Sequence, residues 1–174
     1  EEASKSACST SLDTEDSDWK SKLIVLDPSK DQDWTDSNLD KNIMWDIAAN
    51  IKGYVNGNIR LTSKDHTKER QEYTDMDLLI ELVPGRAEKS VIPVIISYDS
   101  TDPKARKLSC ILYNHFKDAG LEDSVKTLRL QRKAGADFVH VEAGNVLNED
   151  SVLTEKMEVV YLAIAESIQE FYKG

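Results

Sequence analysis

The residues of this chain with most chemistry to offer are three histidines, a strand-end glutamate and a lysine in a polar loop. His140 and Glu142 lie two apart in FVHVE, so an extended strand puts them on one face. That pair can contribute to a metal site, but zinc needs three protein ligands and no HxxxH or HxxE spacing supplies the third. Glu142 closes an apolar run and is followed by Ala143-Gly144-Asn145. This setting suits a general base, and it equally suits a carboxylate that caps a nearby backbone amide. His115 falls in the apolar stripe of a helical pattern, where a packed histidine is expected over a ligand. His66, in KDHTKE, reads as surface.

The stretch LIVLDPSKDQ, Leu23 to Gln32, is an apolar strand that stops at Asp27-Pro28 and enters a loop supplying Ser29, Lys30 and Asp31. Strand-end loops of this kind carry functional groups in open α/β sheets. No GxSxG elbow provides a serine nucleophile. No GxGxxG or GxxxxGK cradles phosphate. The two cysteines, Cys8 and Cys110, form no CxxC pair. Cys110 is expected mid-helix beside apolar residues, an inert setting, and two free thiols are favoured over a disulfide.

The elements that must position these groups alternate along the chain. Residues 1–18 are rich in Ser, Asp and Glu and poor in large apolar side chains. They are expected to form a disordered acidic tail or linker, of the kind that can follow a membrane anchor, before one domain over 19–174. Lys22–Leu26 predicts a strand buried on both faces. Ser37 with Asp40 predicts a helix N-terminus, and Ile43, Ile47, Ile51 and Tyr54 continue at helical spacing. Strands are expected at Ile59–Thr62, Leu78–Leu82, Val91–Tyr98, Val125–Leu130 and Asp137–Glu142, and Pro93 suggests that Val91–Tyr98 is an edge strand or bulged. Asp102-Pro103 opens a helix that ends at Gly120, and a long amphipathic helix is expected over Ser151–Tyr172. The alternation predicts an α/β fold, an open sheet covered on both faces.

At 174 residues with a net charge of −10, the chain lacks the clustered cations that nucleic-acid binding needs. Lys104, Arg106 and Lys107, and Arg129, Arg132 and Lys133, are small groups expected on solvated surface. No run reaches the roughly 18 apolar residues of a membrane span.

The order of these segments resembles the zinc-dependent N-acetylmuramoyl-L-alanine amidases of type 3, over about Leu23 to Tyr172. IVLDP (Ile24–Pro28) is similar to the family's VLDPGHGG, and VHVEAGNVLNED (Val139–Asp150) to its VExGFxSNxxD before a helix that ends near tyrosine. DKNIMWDIA (Asp40–Ala48) resembles EKDxNLxIA, IRLTS (Ile59–Ser63) resembles VxLTR, and MDLLIELVPG (Met76–Gly85) resembles ADLFISIHAN. The resemblance implies a twisted sheet of about six strands with helices on both sides.

The resemblance also implies a site, and the residues depart from it. The family's first zinc histidine falls at Lys30, its zinc glutamate at Asp40 and its second zinc histidine at Val83. The catalytic glutamate is matched at Glu142. A protonated lysine and a valine offer zinc no lone pair, so neither zinc nor a zinc-activated water is expected. The expected function is an inactive amidase-like module of the bacterial cell envelope, extracytoplasmic, with no cofactor. Its expected partner is peptidoglycan or another envelope protein, at a site drawn from Asp27, Lys30, Asp40, His140 and Glu142. The alternative is a divergent peptidoglycan amidase that uses Glu142 with a relocated zinc site, His140 and Asp27 among the ligands.

Overall fold

A computed structural model describes residues 17–28, 38–61, 76–85, 94–99, 102–121, 125–130, 137–145 and 157–173. Residues 1–16, Lys30 and His66 lie outside them. Among the described residues, six strands form one sheet: β1 (Ile24–Pro28), β2 (Ile59–Leu61), β3 (Leu78–Gly85), β4 (Val94–Asp99), β5 (Val125–Leu130) and β6 (Asp137–Asn145), in the order β2-β1-β3-β6-β4-β5. The first four positions in that order run parallel. β4 is antiparallel to β6 and parallel to β5, so the sheet is mixed.

Among the described residues, three long helices accompany it: α1 (Asn38–Tyr54), α2 (Pro103–Phe116) and α3 (Met157–Lys173). All three pack on one face. Ile47 and Ile51 of α1, Leu108, Leu112 and Phe116 of α2, and Val160, Ile164, Ile168 and Phe171 of α3 share one cluster. With them lie Ile24, Leu26, Leu78, Ile80, Leu82 and Ile96 from the strands. The α3 residues recur at intervals of three and four, the stripe that a core-facing helix needs. On the opposite face of the sheet, Val25 and Leu79 form a second, smaller cluster.

Several boundaries move from the expected ones. β1 does not stop at Leu26: Asp27 and Pro28 stay in the ladder, in register with Glu81 and Leu82. β3 and β6 likewise run on through Val83-Pro84-Gly85 and Ala143-Gly144-Asn145, which the sequence places beyond the strands. Each run is flanked by paired neighbours, and that pairing overrides weak local propensity. β4 is an interior strand. It is described from Val94, and Pro93 lies outside the described residues. α3 is described from Met157, and the expected helical residues before it lie outside the described range.

Local chemistry explains the helix ends. Asp102 caps α2 by accepting a hydrogen bond from the Lys104 amide at 3.0 Å, with Pro103 in the first turn. Beyond α2 a single wide turn, Lys117–Leu121, contains Gly120 at φ 90°, a conformation open to glycine at little cost. His115 is not simply packed: Nε2 donates to Glu170 Oε2 at 3.1 Å, and Nδ1 lies 3.6 Å from Glu166 Oε2. It therefore ties α2 to α3.

Cys110 corrects the expectation of free thiols. It is disulfide-bonded, and it packs partly buried against the core. Helical position says nothing about a covalent partner distant in sequence, which is why spacing misses it.

At the amino-terminal side, Trp19 starts a short 3-10 turn (Trp19–Ser21) and is 5% exposed. Its ring stacks on Tyr172 at 5.9 Å between centroids, and Lys173 Nζ lies 5.2 Å from the ring.

Candidate functional site

The connection from β1 through α1 leads to β2 on one side of β1, and β3 lies on the other side. The carboxyl ends of β1 and β3 therefore flank a switch point, where open α/β sheets form their crevice. Three of the sequence-expected positions lie near strand ends here, and Lys30 lies outside the described residues. Asp27 stands near the end of β1, Val83 near the end of β3 and Glu142 near the end of β6. Asp40 lies in the first turn of α1, the helix that follows the β1 loop.

Backbone register brings some of these residues together. Val83 pairs with Glu142, and Glu142 with Ile95 on β4. Two residues earlier, Asp27 pairs with Glu81, Glu81 with His140 and His140 with Ser97. Paired residues share a face and alternate residues return to it. Asp27, Glu81, His140 and Ser97 thus form one row across four strands, and Val83 and Glu142 stand in the next row on the same face. It is the face opposite α1, α2 and α3.

Asp27 is 1% exposed and Glu81 6%, and both make polar contacts. Two buried carboxylates at adjacent register positions bring a large desolvation cost unless positive charge or a proton offsets them. Sequence reading did not single out Glu81. The signal was present, since an acid inside LLIEL interrupts an otherwise apolar strand.

The zinc ion that the family resemblance implies calls for nitrogen donors at two of these positions. The β3 position beside Glu142 is a valine, which has no donor atom. Among the described residues, no three His, Cys, Asp or Glu side chains are placed to hold a metal ion. What the described backbone offers here is Asp27, Glu81 and His140 at paired register positions across three strands.

No family model and no curated protein matches the sequence. Solved structures do match. The catalytic domain of CwlV, an N-acetylmuramoyl-L-alanine amidase from Bacillus (Paenibacillus) polymyxa var. colistinus, superposes with TM-score 0.67 at 15% identity, covering 86% of this chain and 97% of that one. The CwlD amidase from Clostridioides difficile, solved in complex with the GerS lipoprotein, gives TM-score 0.64 at 18% identity over 86% and 98% of the two chains. The apo amidase from Mycobacterium abscessus gives 0.64 at 13% identity over 87% and 98%. At these identities the likeness concerns architecture, and the chain has the α/β fold of the N-acetylmuramoyl-L-alanine amidase catalytic domains.

Proposed function

We propose that this chain is an amidase-fold module of the bacterial cell envelope that binds its partner and cuts no bond. The observation that carries the reading is the pairing of Val83 with Glu142. Glu142 stands where the resemblance puts the catalytic glutamate, and its neighbour is a valine where a zinc histidine is expected. Lys30 and Asp40 hold the other two metal positions. Without the metal nothing lowers the pKa of water from about 15.7 towards about 7, and Glu142 has no activated nucleophile to assist.

Lys30 has a constructive role in this reading. Lys30 lies outside the described residues, and from its aligned position alone we infer that its ammonium group takes the place of the divalent cation beside Asp40 and Glu142.

The partner is another envelope protein in preference to the wall itself. A net charge of −10 disfavours anionic wall polymers. CwlD, of the same fold, has been solved with a lipoprotein bound. The disulfide at Cys110 supports an oxidising, extracytoplasmic setting. Among the described residues, no helix is long and apolar enough to cross a membrane.

One observation favours a second reading, a divergent peptidoglycan amidase with a relocated metal. Asp27, Glu81 and His140 lie in one register row, with Glu142 on the same face. Metal analysis and affinity capture separate the two. The binding reading expects no bound zinc at stoichiometric level and recovery of a specific protein from detergent-solubilised envelope. Stoichiometric zinc that is lost on His140→Ala overturns it in favour of the second. A chain that captures neither envelope protein nor purified cell wall overturns both.

A further inference from the structure

Trp45 and Tyr54 are the large apolar side chains that the described residues leave exposed, at 42% and 45%, and both belong to α1. α3 packs between α1 and α2, so α1 is the outer helix of its layer. Its outward face carries Trp45, Asp46, Ala49, Lys52 and Gly53, all exposed, while Ile47, Ala48 and Ile51 are buried. The helix continues through Gly53 to Tyr54, and a Cβ added at Gly53 would meet nothing within 4 Å. The face is therefore a knob, Trp45, beside a hollow over Ala49 and Gly53, where another helix can approach closely.

The order of these residues is reciprocal about Ala49. Trp45 and Gly53 lie four residues from it on either side, and Asp46 and Lys52 three. At 3.6 residues per turn, all four point within roughly 60° of the direction of Ala49. A two-fold axis through Ala49 lays an antiparallel copy of α1 on this face and sets each residue against the one equally far on the other side. Trp45 then meets Gly53 of the second copy and Asp46 meets its Lys52, each contact made twice. Among the described residues, neither the Asp46 carboxylate nor the Lys52 amine has a partner within the chain.

We propose that this face of α1 is a homodimer interface, with α1 packed antiparallel on α1 of a second copy. Shape and charge complement each other in one register, and a single sequence supplies both halves. A parallel pairing would oppose Asp46 to Asp46 and Lys52 to Lys52, so the charges select the antiparallel arrangement. The exposed tryptophan is the anchor, a residue type that dominates such contacts. The contact spans about two and a half turns of one helix and buries less than the roughly 1,200 Å² of standard interfaces, so the dimer is weak. A Kd of about 10–500 µM is expected. The inference is independent of the binding reading above, because it uses neither Glu142 nor the carboxyl ends of β1 and β3.

Sedimentation velocity of the full chain, over a concentration series that brackets this Kd, tests it. A reversible monomer–dimer equilibrium is expected. Asp46→Lys alone and Lys52→Asp alone are each expected to weaken it about tenfold or more, with unchanged thermal melting because both positions are exposed. An equimolar mixture of these two variants is expected to recover the wild-type affinity, because opposite charges then face each other at both pairs. Gly53→Leu fills the hollow and is expected to abolish the dimer. A chain that stays monomeric throughout the series overturns the proposal, as does a dimer indifferent to both charge reversals. So does a mixture that associates no more tightly than its components. A monomeric chain that captures an envelope protein, and loses it on Trp45→Ala, overturns it by assigning the face to that protein.

Discussion

Glu142 is the residue on which the account turns, because one side chain carries opposite roles in its two readings. As half of a charge pair with Lys30 it is structural. As a solvated strand-end carboxylate it is dispensable to the fold. Glu142→Gln keeps the shape and removes the charge, so the pairing reading expects a loss of about 1–3 kcal/mol, seen as a lower Tm or denaturation midpoint. An unchanged midpoint removes the pair. Ser109 gives a second residue-scale prediction, of the opposite sign. Its hydroxyl is buried on α2 and has no hydrogen-bond partner among the described residues. Ser109→Ala removes an unsatisfied polar atom and a small volume, so stability should rise by roughly 0.5–1.5 kcal/mol by chemical denaturation. Ser167, equally buried, is the contrast: its hydroxyl donates to the Ala163 carbonyl at 2.6 Å, and the same substitution there brings no such gain.

At the scale of elements, the amino-terminal turn and the helix that ends the domain hold each other in place. Trp19 fits between Tyr172 and Gly57, and a Cβ at Gly57 would stand 2.7 Å from Trp19 Cζ3. Gly57→Ala therefore has to displace the indole or the α1–β2 connection. A loss of about 1–3 kcal/mol is expected, with a change in tryptophan fluorescence that a remote defect would not produce. The ordering of β1 and β3 depends on a similar local device. The Leu23 amide donates to Asp77 Oδ2 at 2.8 Å and the Asp77 amide to the Leu23 carbonyl at 2.8 Å, which sets the register at the start of both strands.

Much of this was legible in the sequence, and the reasons differ by element. The apolar run of β1, the Asp102-Pro103 cap, the Gly120 stop and the α3 stripe follow from propensity and periodicity, which are local. The continuation of β1 through Pro28 and the interior place of β4 follow from pairing with distant strands, which no local pattern records. The candidate site divides in the same way. Glu142 and His140 were found from two-residue spacing. Glu81 became visible only when the register set it between Asp27 and His140. The Cys110 disulfide was not favoured because helical position carries no information about covalent pairing.

For the whole molecule, fold and chemistry point in different directions. The architecture is that of amidase catalytic domains, while the β3 position facing Glu142 lacks a metal donor. The carboxyl ends of β1 and β3 remain the proposed place for a ligand or partner. The central claim is that this edge no longer hydrolyses the amidase bond. Incubating the full chain with purified peptidoglycan and added zinc, then quantifying newly freed stem peptides, tests it most directly. The account predicts no release above the buffer control. Release that is abolished by Glu142→Gln would contradict it.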